Sequence, residues 1–247
     1  MEEHSYRELA EREQTHWFCV VRREIIAAAL DRAGIAPKGR VLEVGSGTGG
    51  NVELLSEYGD LTCIEPNPVG RKLARERFGD ELDLRVAAWP GDEALAPDER
   101  FNLVAMLDVL EHVDDPEAAL RAVREVLVPG GRVVITVPNY RWMWSVHDDQ
   151  LHHHDRYTPQ RLRALVAAAG MRPITIGCFN TLLFPFAGVV RLGTKILHLK
   201  SSPGSKTPSR AVNAVLRTIL RWEVWFIRRG IRLPYGLSTL AILEVAS

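Results

Sequence analysis

Two stretches of the chain hold residues whose types and spacing could do chemistry. The first is 41–50, VLEVGSGTGG, where Gly45, Gly47, Gly49 and Gly50 follow an aliphatic run and precede the apolar-periodic Val52, Leu54 and Leu55. A strand, a glycine-rich turn and a helix in that order aim backbone N–H groups at a ligand with no side chain in the way. That is chemistry for holding a nucleotide. Glu65 ends a second aliphatic run, LTCI, about twenty residues beyond the turn, at the place of an acidic ribose ligand. The second stretch is 145–162, SVHDDQLHHHDRYTPQRL, which sets His147, His152, His153 and His154 among Asp148, Asp149, Asp155, Arg156 and Tyr157. Three uses compete for it. His and Asp could ligate a metal, but the spacing matches no H-E-x-x-H or comparable pattern, and no metal is expected. A solvated polar loop is the second use. The third is a substrate-side loop: a histidine titrating near neutrality takes a proton, and Arg156 and Tyr157 hold a polar or anionic group.

The glycine turn itself supports two nucleotides. Gly45, Gly47 and Gly50 satisfy the dinucleotide fingerprint G-x-G-x-x-G. With Glu43 in front, the stretch is E-x-G-x-G-x-G, which resembles the first motif of class I S-adenosylmethionine-dependent methyltransferases. Glycine spacing does not choose between them; three later stretches do. FNLVAMLDVLEHVDDP (101–116) resembles the fourth-strand motif of small-molecule methyltransferases, LVPGGRVVITVP (127–138) is similar to their fifth-strand motif, and LSTLAILEVA (237–246) resembles their long last strand. The first two continue the motif order begun at residue 41, and the match runs to about residue 180. A dehydrogenase has no reason to contain DVLEHV or LVPGG.

The resemblance implies S-adenosylmethionine as cofactor and assigns roles residue by residue. Glu43 orients the turn and the cofactor's aminoacyl end; Gly45, Ser46, Gly47 and Gly49 let the backbone approach. Glu65, followed by Pro66 and Asn67, takes the ribose hydroxyls. Asp108, Val109 and His112 line the pocket from the fourth strand. The third strand departs from the family: Val86-Ala87-Ala88-Trp89 stands where many relatives carry an Asp for the adenine amino group. Ala88 and Trp89 are therefore expected at the adenine, with Trp89 either covering its face or packing. Trp17, in His16-Trp17-Phe18, either packs or reaches the cofactor, because such enzymes often lay an N-terminal helical segment over it. One branch, often found with glycan and lipid biosynthesis, carries H-D-x-x-x-x-H-x-R-R-Y-T after the fifth strand. His147, Asp148, His153, Arg156, Tyr157 and Thr158 match it, and Asp155 replaces the first Arg. This favours the substrate-side use of the loop, with His153 or His147 as base and Arg156 and Tyr157 beside the acceptor.

These residues need a frame, and the rest of the chain supplies one. Periodicity predicts helices over 3–14 and 20–33, strands over 61–64, 82–88, 101–107 and 132–138, and helices over 69–78 and 116–127. A helix over 159–169 and strands over 171–179 and 237–246 follow. Alternation of this kind predicts an α/β fold, a doubly wound, mostly parallel seven-stranded sheet with an antiparallel last strand. The expected organisation is a helical cap over 1–36 and a methyltransferase domain over 37–247, interrupted by a helical basic insertion over 180–235. That insertion holds ten Lys or Arg against one acid, Glu223, within a chain of zero net charge. It contains an apolar stretch (182–199), a polar linker (200–209) and a basic helix (211–229) carrying Trp222, Trp225 and Phe226.

Composition is that of a globular protein, with 46% hydrophobic and 25% charged residues. Cys19, Cys63 and Cys178 form no C-x-x-C pair, and the charged stretch MEEHSYRELAEREQ is not expected to act as a signal peptide. The expected location is cytoplasmic, with peripheral contact at the inner face of a membrane through 180–235 as an option. The function expected is methylation, foremost at oxygen, of a small-molecule or glycan/lipid-linked acceptor; no nucleic acid is expected. A catalytically inactive cofactor-binding scaffold is the alternative, and an NAD-dependent oxidoreductase stands third.

Overall fold

The computed structural model describes residues 3–35, 39–91, 94–196 and 208–246, without the side chains of 3–5, 147 and 194–196. The N-terminal half runs α1 (Glu3–Thr15), α2 (Trp17–Arg32), β1 (Arg40–Val44), α3 (Val52–Ser56), β2 (Asp60–Ile64), α4 (Pro68–Phe78) and β3 (Asp83–Arg85). It continues through β4 (Phe101–Leu107), α5 (Pro116–Glu125), β5 (Leu127–Pro138), α6 (Val146–Gln150), α7 (Pro159–Ala168) and β6 (Met171–Phe179). The chain closes with α8 (Phe184–Ile196), α9 (Arg210–Arg228) and β7 (Ser238–Val245). The strands form one seven-stranded sheet in the order β3-β2-β1-β4-β5-β7-β6. β7 lies antiparallel between β5 and β6, and the other pairs are parallel. Strand order reverses between β1 and β4, so the crevice beyond their C-terminal ends is the place for a ligand.

Successive strand residues point to opposite faces, which is why both faces are apolar. Leu42, Val104, Met106, Val133 and Ile135 pack under α5 and α7, through Leu120, Val123, Leu162 and Val166. Val41, Leu103, Ala105, Val134 and Ile242 pack on the other face under α2 and α9, through Val21, Ile25, Leu30, Leu220 and Val224. The second helix of the expected cap and the basic helix of the expected insertion are thus layers of the domain itself. Of the cap, α1 lies over the glycine turn, and Arg23 of α2 reaches it at the Gly50 carbonyl (3.1 Å).

Local differences from the sequence pattern have local causes. Trp17 and Phe18 fall inside α2, because His16 is the cap and its Nδ1 accepts the Phe18 N–H at 3.3 Å. β3 stops at Arg85, short of residue 88; beyond it the Trp89 indole turns beneath α5 and donates to the Ala119 carbonyl at 3.1 Å. β5 starts early, at Leu127, which pairs with Phe101 and draws Pro129-Gly130-Gly131 into the strand across a register shift. The His147 side chain and most of the 200–209 linker lie outside the described residues.

Candidate active site

β1 ends in the crevice and the chain turns through Gly45 and Gly47, at φ +71° and +56°. An added Cβ on Gly45 would come within 2.7 Å of Val109, so only glycine lets the β4 loop close on the turn. Above Gly47 a Cβ would meet nothing within 4 Å, which leaves an open cradle over the turn. The Gly45 and Ser46 N–H groups both bond to the Ile64 carbonyl, tying the turn to the end of β2 (2.8 and 3.1 Å). Glu65 follows directly. Its Oε2 accepts the Gly47 N–H at 2.7 Å and its Oε1 the Asn67 N–H at 2.8 Å, and burial raises its pKa. Asn67 caps α4, its Oδ1 accepting the Val69 N–H at 2.8 Å, and Pro66 lies exposed beside it.

Glu43 is buried beneath the turn and not in the cradle. Its Oε1 accepts the Asn51 amide at 2.8 Å, next to α3, and the Cys63 thiol lies 3.8 Å from its Oε2. Burial raises its pKa to about 8 against the opposing Asn51 bond. Its role is to hold the turn.

The structure adds groups that no local pattern indicated, all brought in by α1 and α2. The Tyr6 hydroxyl reaches Glu65 at 3.4 Å, and the Thr48 hydroxyl donates to Glu13 at 2.6 Å, closing α1 over the turn. From α2, Arg22 meets Asp108 at 3.0 Å and donates to the Thr136 hydroxyl at 2.9 Å, while Thr136 donates to Asp108 at 2.9 Å. Asp108 itself takes φ +58° at the end of β4, turning its carboxylate back across the strand ends. An amphipathic pattern shows that Arg22 lies on a helix, but not which strand end that helix crosses.

Two expected cofactor contacts are corrected. Trp89 is a packing residue: its indole N–H is bonded to Ala119, and the ring packs on the α5-side core. Trp17 packs beside Phe18 on the α9 side, its backbone N–H donating to Asn213 at 2.8 Å. Ala88 is exposed next to Trp89. Val109 and His112 do lie on the loop after β4, facing the turn and the acceptor loop respectively.

The polar loop expected to face the acceptor follows β5. Asp148 on α6 is fully buried and gathers donors on both oxygens. Oδ2 accepts the Ser145 N–H and hydroxyl (2.8 and 3.1 Å); Oδ1 meets His153 Nδ1 at 2.9 Å and Arg156 Nε at 2.7 Å. Burial alone would raise the Asp148 pKa; His153, Arg156 and the Ser145 N–H reverse this and hold it far below the usual carboxylate range. The His153 ring, fixed through Nδ1, meets the His112 ring edge-on at 4.7 Å. Desolvation, then the neighbouring His153, lowers the His112 pKa to about 4, although His112 is exposed at the surface. The His154 N–H donates to the Glu111 carbonyl at 2.6 Å, linking the acceptor loop to the β4 loop.

Two expected acceptor contacts are also corrected. Arg156 is buried, paired with Asp148 and bonded to the Asn139 carbonyl at 2.9 Å, so its guanidinium is a structural tie. Tyr157 is in the core with Leu162 and Val166, and burial pushes its hydroxyl up to about 12. Its N–H bonds to the Pro138 carbonyl and its carbonyl accepts from Thr239, which directs the ring inward (2.9 and 3.0 Å). The His147 side chain lies outside the described residues.

Among the described residues one donor set could hold a divalent ion. Glu111, His112 and His153 each present a ligand atom within 4.8 Å of the others. Glu111 is buried with Oε2 unpartnered, and burial raises its pKa well above the usual range. Sequence spacing could not show this set, because His153 joins it only through the loop's path.

Turn, cradle, buried ribose-side carboxylate and sheet order define a class, the doubly wound methyltransferases. A family model described as methyltransferase domain matches residues 16–176, and the chain belongs to that family. It is an S-adenosylmethionine-dependent methyltransferase. Over 172 residues it is 32% identical to the ubiquinone biosynthesis O-methyltransferase of Cereibacter sphaeroides, a match covering 61% of this chain and 69% of that one. With the protein of the same name from Xanthomonas axonopodis pv. citri it shares 36% identity over 125 residues, 48% of this chain and 49% of that relative's length. The CcbJ methyltransferase from Streptomyces caelestis has the same fold at a TM-score of 0.56 and 15% identity, over 91% of this chain and 90% of that one. The cofactor fits the residues present. The open space above Gly47 would accommodate its polar end, and Glu65, at the end of β2 beside the turn, would be the carboxylate for its ribose.

Proposed function

We propose that the chain methylates a hydroxyl oxygen of a small-molecule acceptor and that His153 takes the hydroxyl proton. S-adenosylmethionine supplies the activated methyl group on its sulfonium. What the protein adds is alignment, exclusion of water and a proton acceptor. The observation that carries the proposal is the Asp148–His153 contact of 2.9 Å at the sheet edge beyond β4 and β5. With Nδ1 engaged by a buried carboxylate, Nε2 is the nitrogen left to receive a proton. The names of the two curated relatives support oxygen as the atom methylated. Arg156 and Ser145 hold Asp148, and Glu65 with the glycine turn holds the cofactor. His147 remains a second candidate for the base.

A lipid- or glycan-linked acceptor is the finer form of this proposal. It is supported by a cluster of rings beside the loop, Tyr140, Trp142, Phe184 and Tyr235, with centroids 5.4–6.2 Å apart. Such a cluster suits an acceptor with an apolar or planar portion. Among the described residues no helix is long and apolar enough to cross a membrane. A membrane role would therefore be peripheral, at the inner face, through 180–235.

Turnover of candidate phenolic and lipid-linked hydroxyl acceptors by wild type and His153→Ala tests the proposal. The variant should lose roughly 100-fold or more in kcat while S-adenosylhomocysteine binds as before. Full activity in the variant would remove His153 from the chemistry. Turnover that collapses on chelation and returns with a divalent cation would reassign His153 from base to ligand. Cofactor binding with no turnover of any acceptor would favour the scaffold.

A further inference from the structure

Where the loop after β4 meets the loop after β5, a carboxylate and two imidazoles converge. Glu111, His112 and His153 each bring a ligand atom within 4.8 Å of the other two. Glu111 is the unusual member. It is 1% exposed, and its Oε2 has no hydrogen-bond partner. A buried carboxylate oxygen left bare is costly, and folded proteins seldom keep one without a use for it. A cation is the partner that a carboxylate and two neutral imidazoles have in common.

Both histidines are oriented from behind. His153 Nδ1 is held by the buried Asp148 at 2.9 Å, and the His112 ring is hydrogen-bonded to the His152 backbone. Each ring therefore has one nitrogen engaged and one left over. Imidazoles are prepared for a metal in this way: an outer carboxylate or carbonyl fixes the ring and its tautomer, and the other nitrogen bonds the ion. The short 3-10 turn Leu110–His112 carries the first two ligands. The His154 N–H, bonded to the Glu111 carbonyl at 2.6 Å, keeps the loop of the third against it. His112 is exposed, which gives an ion a way in from solvent.

The donor set selects the ion. Two imidazoles and one carboxylate suit zinc, with a fourth position left to water. Magnesium and calcium ask for more oxygen ligands than these three residues supply. Zinc bonds of about 2.0–2.1 Å would draw the three atoms closer together around the ion.

We infer that Glu111, His112 and His153 form a zinc site whose occupation silences the enzyme. With Nδ1 on Asp148, the nitrogen of His153 that zinc takes is Nε2, the one proposed to accept the hydroxyl proton. A ring bound to zinc through that lone pair has none left for a proton. The effect on turnover rests on the proposed role of His153; the site itself rests on the donor geometry.

Calorimetric titration of the full chain with zinc chloride is the test, run beside Glu111→Gln and His153→Asn. Wild type should bind one zinc ion, and each substitution should weaken binding roughly tenfold or more. Glu111→Gln keeps the shape of the side chain, and its melting temperature without zinc checks the fold. Added zinc should lower wild-type turnover, a chelator should restore it, and Glu111→Gln should resist the same zinc concentration. Absence of one-to-one binding, or binding that both substitutions leave intact, would overturn the site. Zinc that binds and leaves turnover unchanged, or raises it, would overturn the silencing. Loss of zinc binding in His153→Asn reports capture of that ring without any acceptor, so the inference stands or falls apart from the methylation reading.

Discussion

Replacing Asp148 by alanine should cost more than any other single change in the acceptor loop. The carboxylate is fully buried and meets Ser145 N and Oγ, His153 Nδ1, and Arg156 Nε and Nη2, all within 3.1 Å. Its removal leaves the Arg156 guanidinium buried, with the Asn139 carbonyl as its remaining bond. Breaking a buried pair on one side costs about 3–5 kcal/mol, because the surviving charge is neither solvated nor paired. In a chain of this size that is a drop in Tm of roughly 6–20 °C.

The double variant Asp148→Ala/Arg156→Met separates the lost pair from the stranded charge. With the cation gone as well, at least half of the loss should be recovered. The pH dependence has a defined sign. The folded Asp148 pKa is lowered, so its stabilisation is fully present above the unfolded value near ~3.9 and is lost as pH falls through the folded value. The deficit of Asp148→Ala should therefore be constant near neutrality and shrink only in acid. Urea titrations of the three proteins across pH measure all of this. An Asp148→Ala protein within about 1 kcal/mol of wild type, or no recovery in the double variant, would refute the reasoning.

Three further outcomes follow from the geometry. Glu65→Ala should weaken S-adenosylhomocysteine by about 1.5–3 kcal/mol in calorimetry, the scale of hydrogen bonds to a charged group; tight NAD binding instead would overturn the cofactor. Glu43 has a raised folded pKa of about 8, so wild-type stability should decline as pH rises from the unfolded carboxylate range through that value. Glu43→Gln, which can still accept from Asn51, should remove that decline and gain more over wild type at alkaline pH than at mild acid in denaturant melts. Tyr157→Phe should keep kcat within roughly twofold of wild type, since its hydroxyl is in the core and not at the acceptor.

The parts of the site that were legible are those the chain makes locally. Gly45, Gly47 and Glu65 interact through a turn and an adjacent strand, and β-strand neighbours follow from the alternation of elements. Tyr6, Glu13 and Arg22 were not legible, because their roles depend on how α1 and α2 cross the strand ends. The motif around residue 153 set Arg156 and Tyr157 beside the acceptor, and the structure buries both. Arg156 and Tyr157 follow His153 in sequence, but the bonds of Tyr157 to Pro138 and Thr239 turn its ring into the sheet, and Asp148 draws Arg156 down. Asp148, noted only as a motif match, is the centre of the loop.

Counting charges over 180–235 treats every basic residue as free, and the packing divides them. Arg221 makes a two-pronged pair with Glu24 of α2 (2.6 Å at its shortest), and Arg229 lies 4.3 Å over the Trp225 ring. Arg217 donates to the Thr15 carbonyl at 2.9 Å, where α1 gives way to α2. The Arg221 and Arg217 contacts fasten α9 to the N-terminal helices, and Leu220 and Val224 seat it on the sheet. Glu223, facing inward from the same helix, accepts the Asn180 and Leu182 N–H groups at 2.6 and 2.9 Å and so sets the turn from which α8 starts. A helix so tied cannot close over the acceptor. Through Glu223 it holds the root of α8.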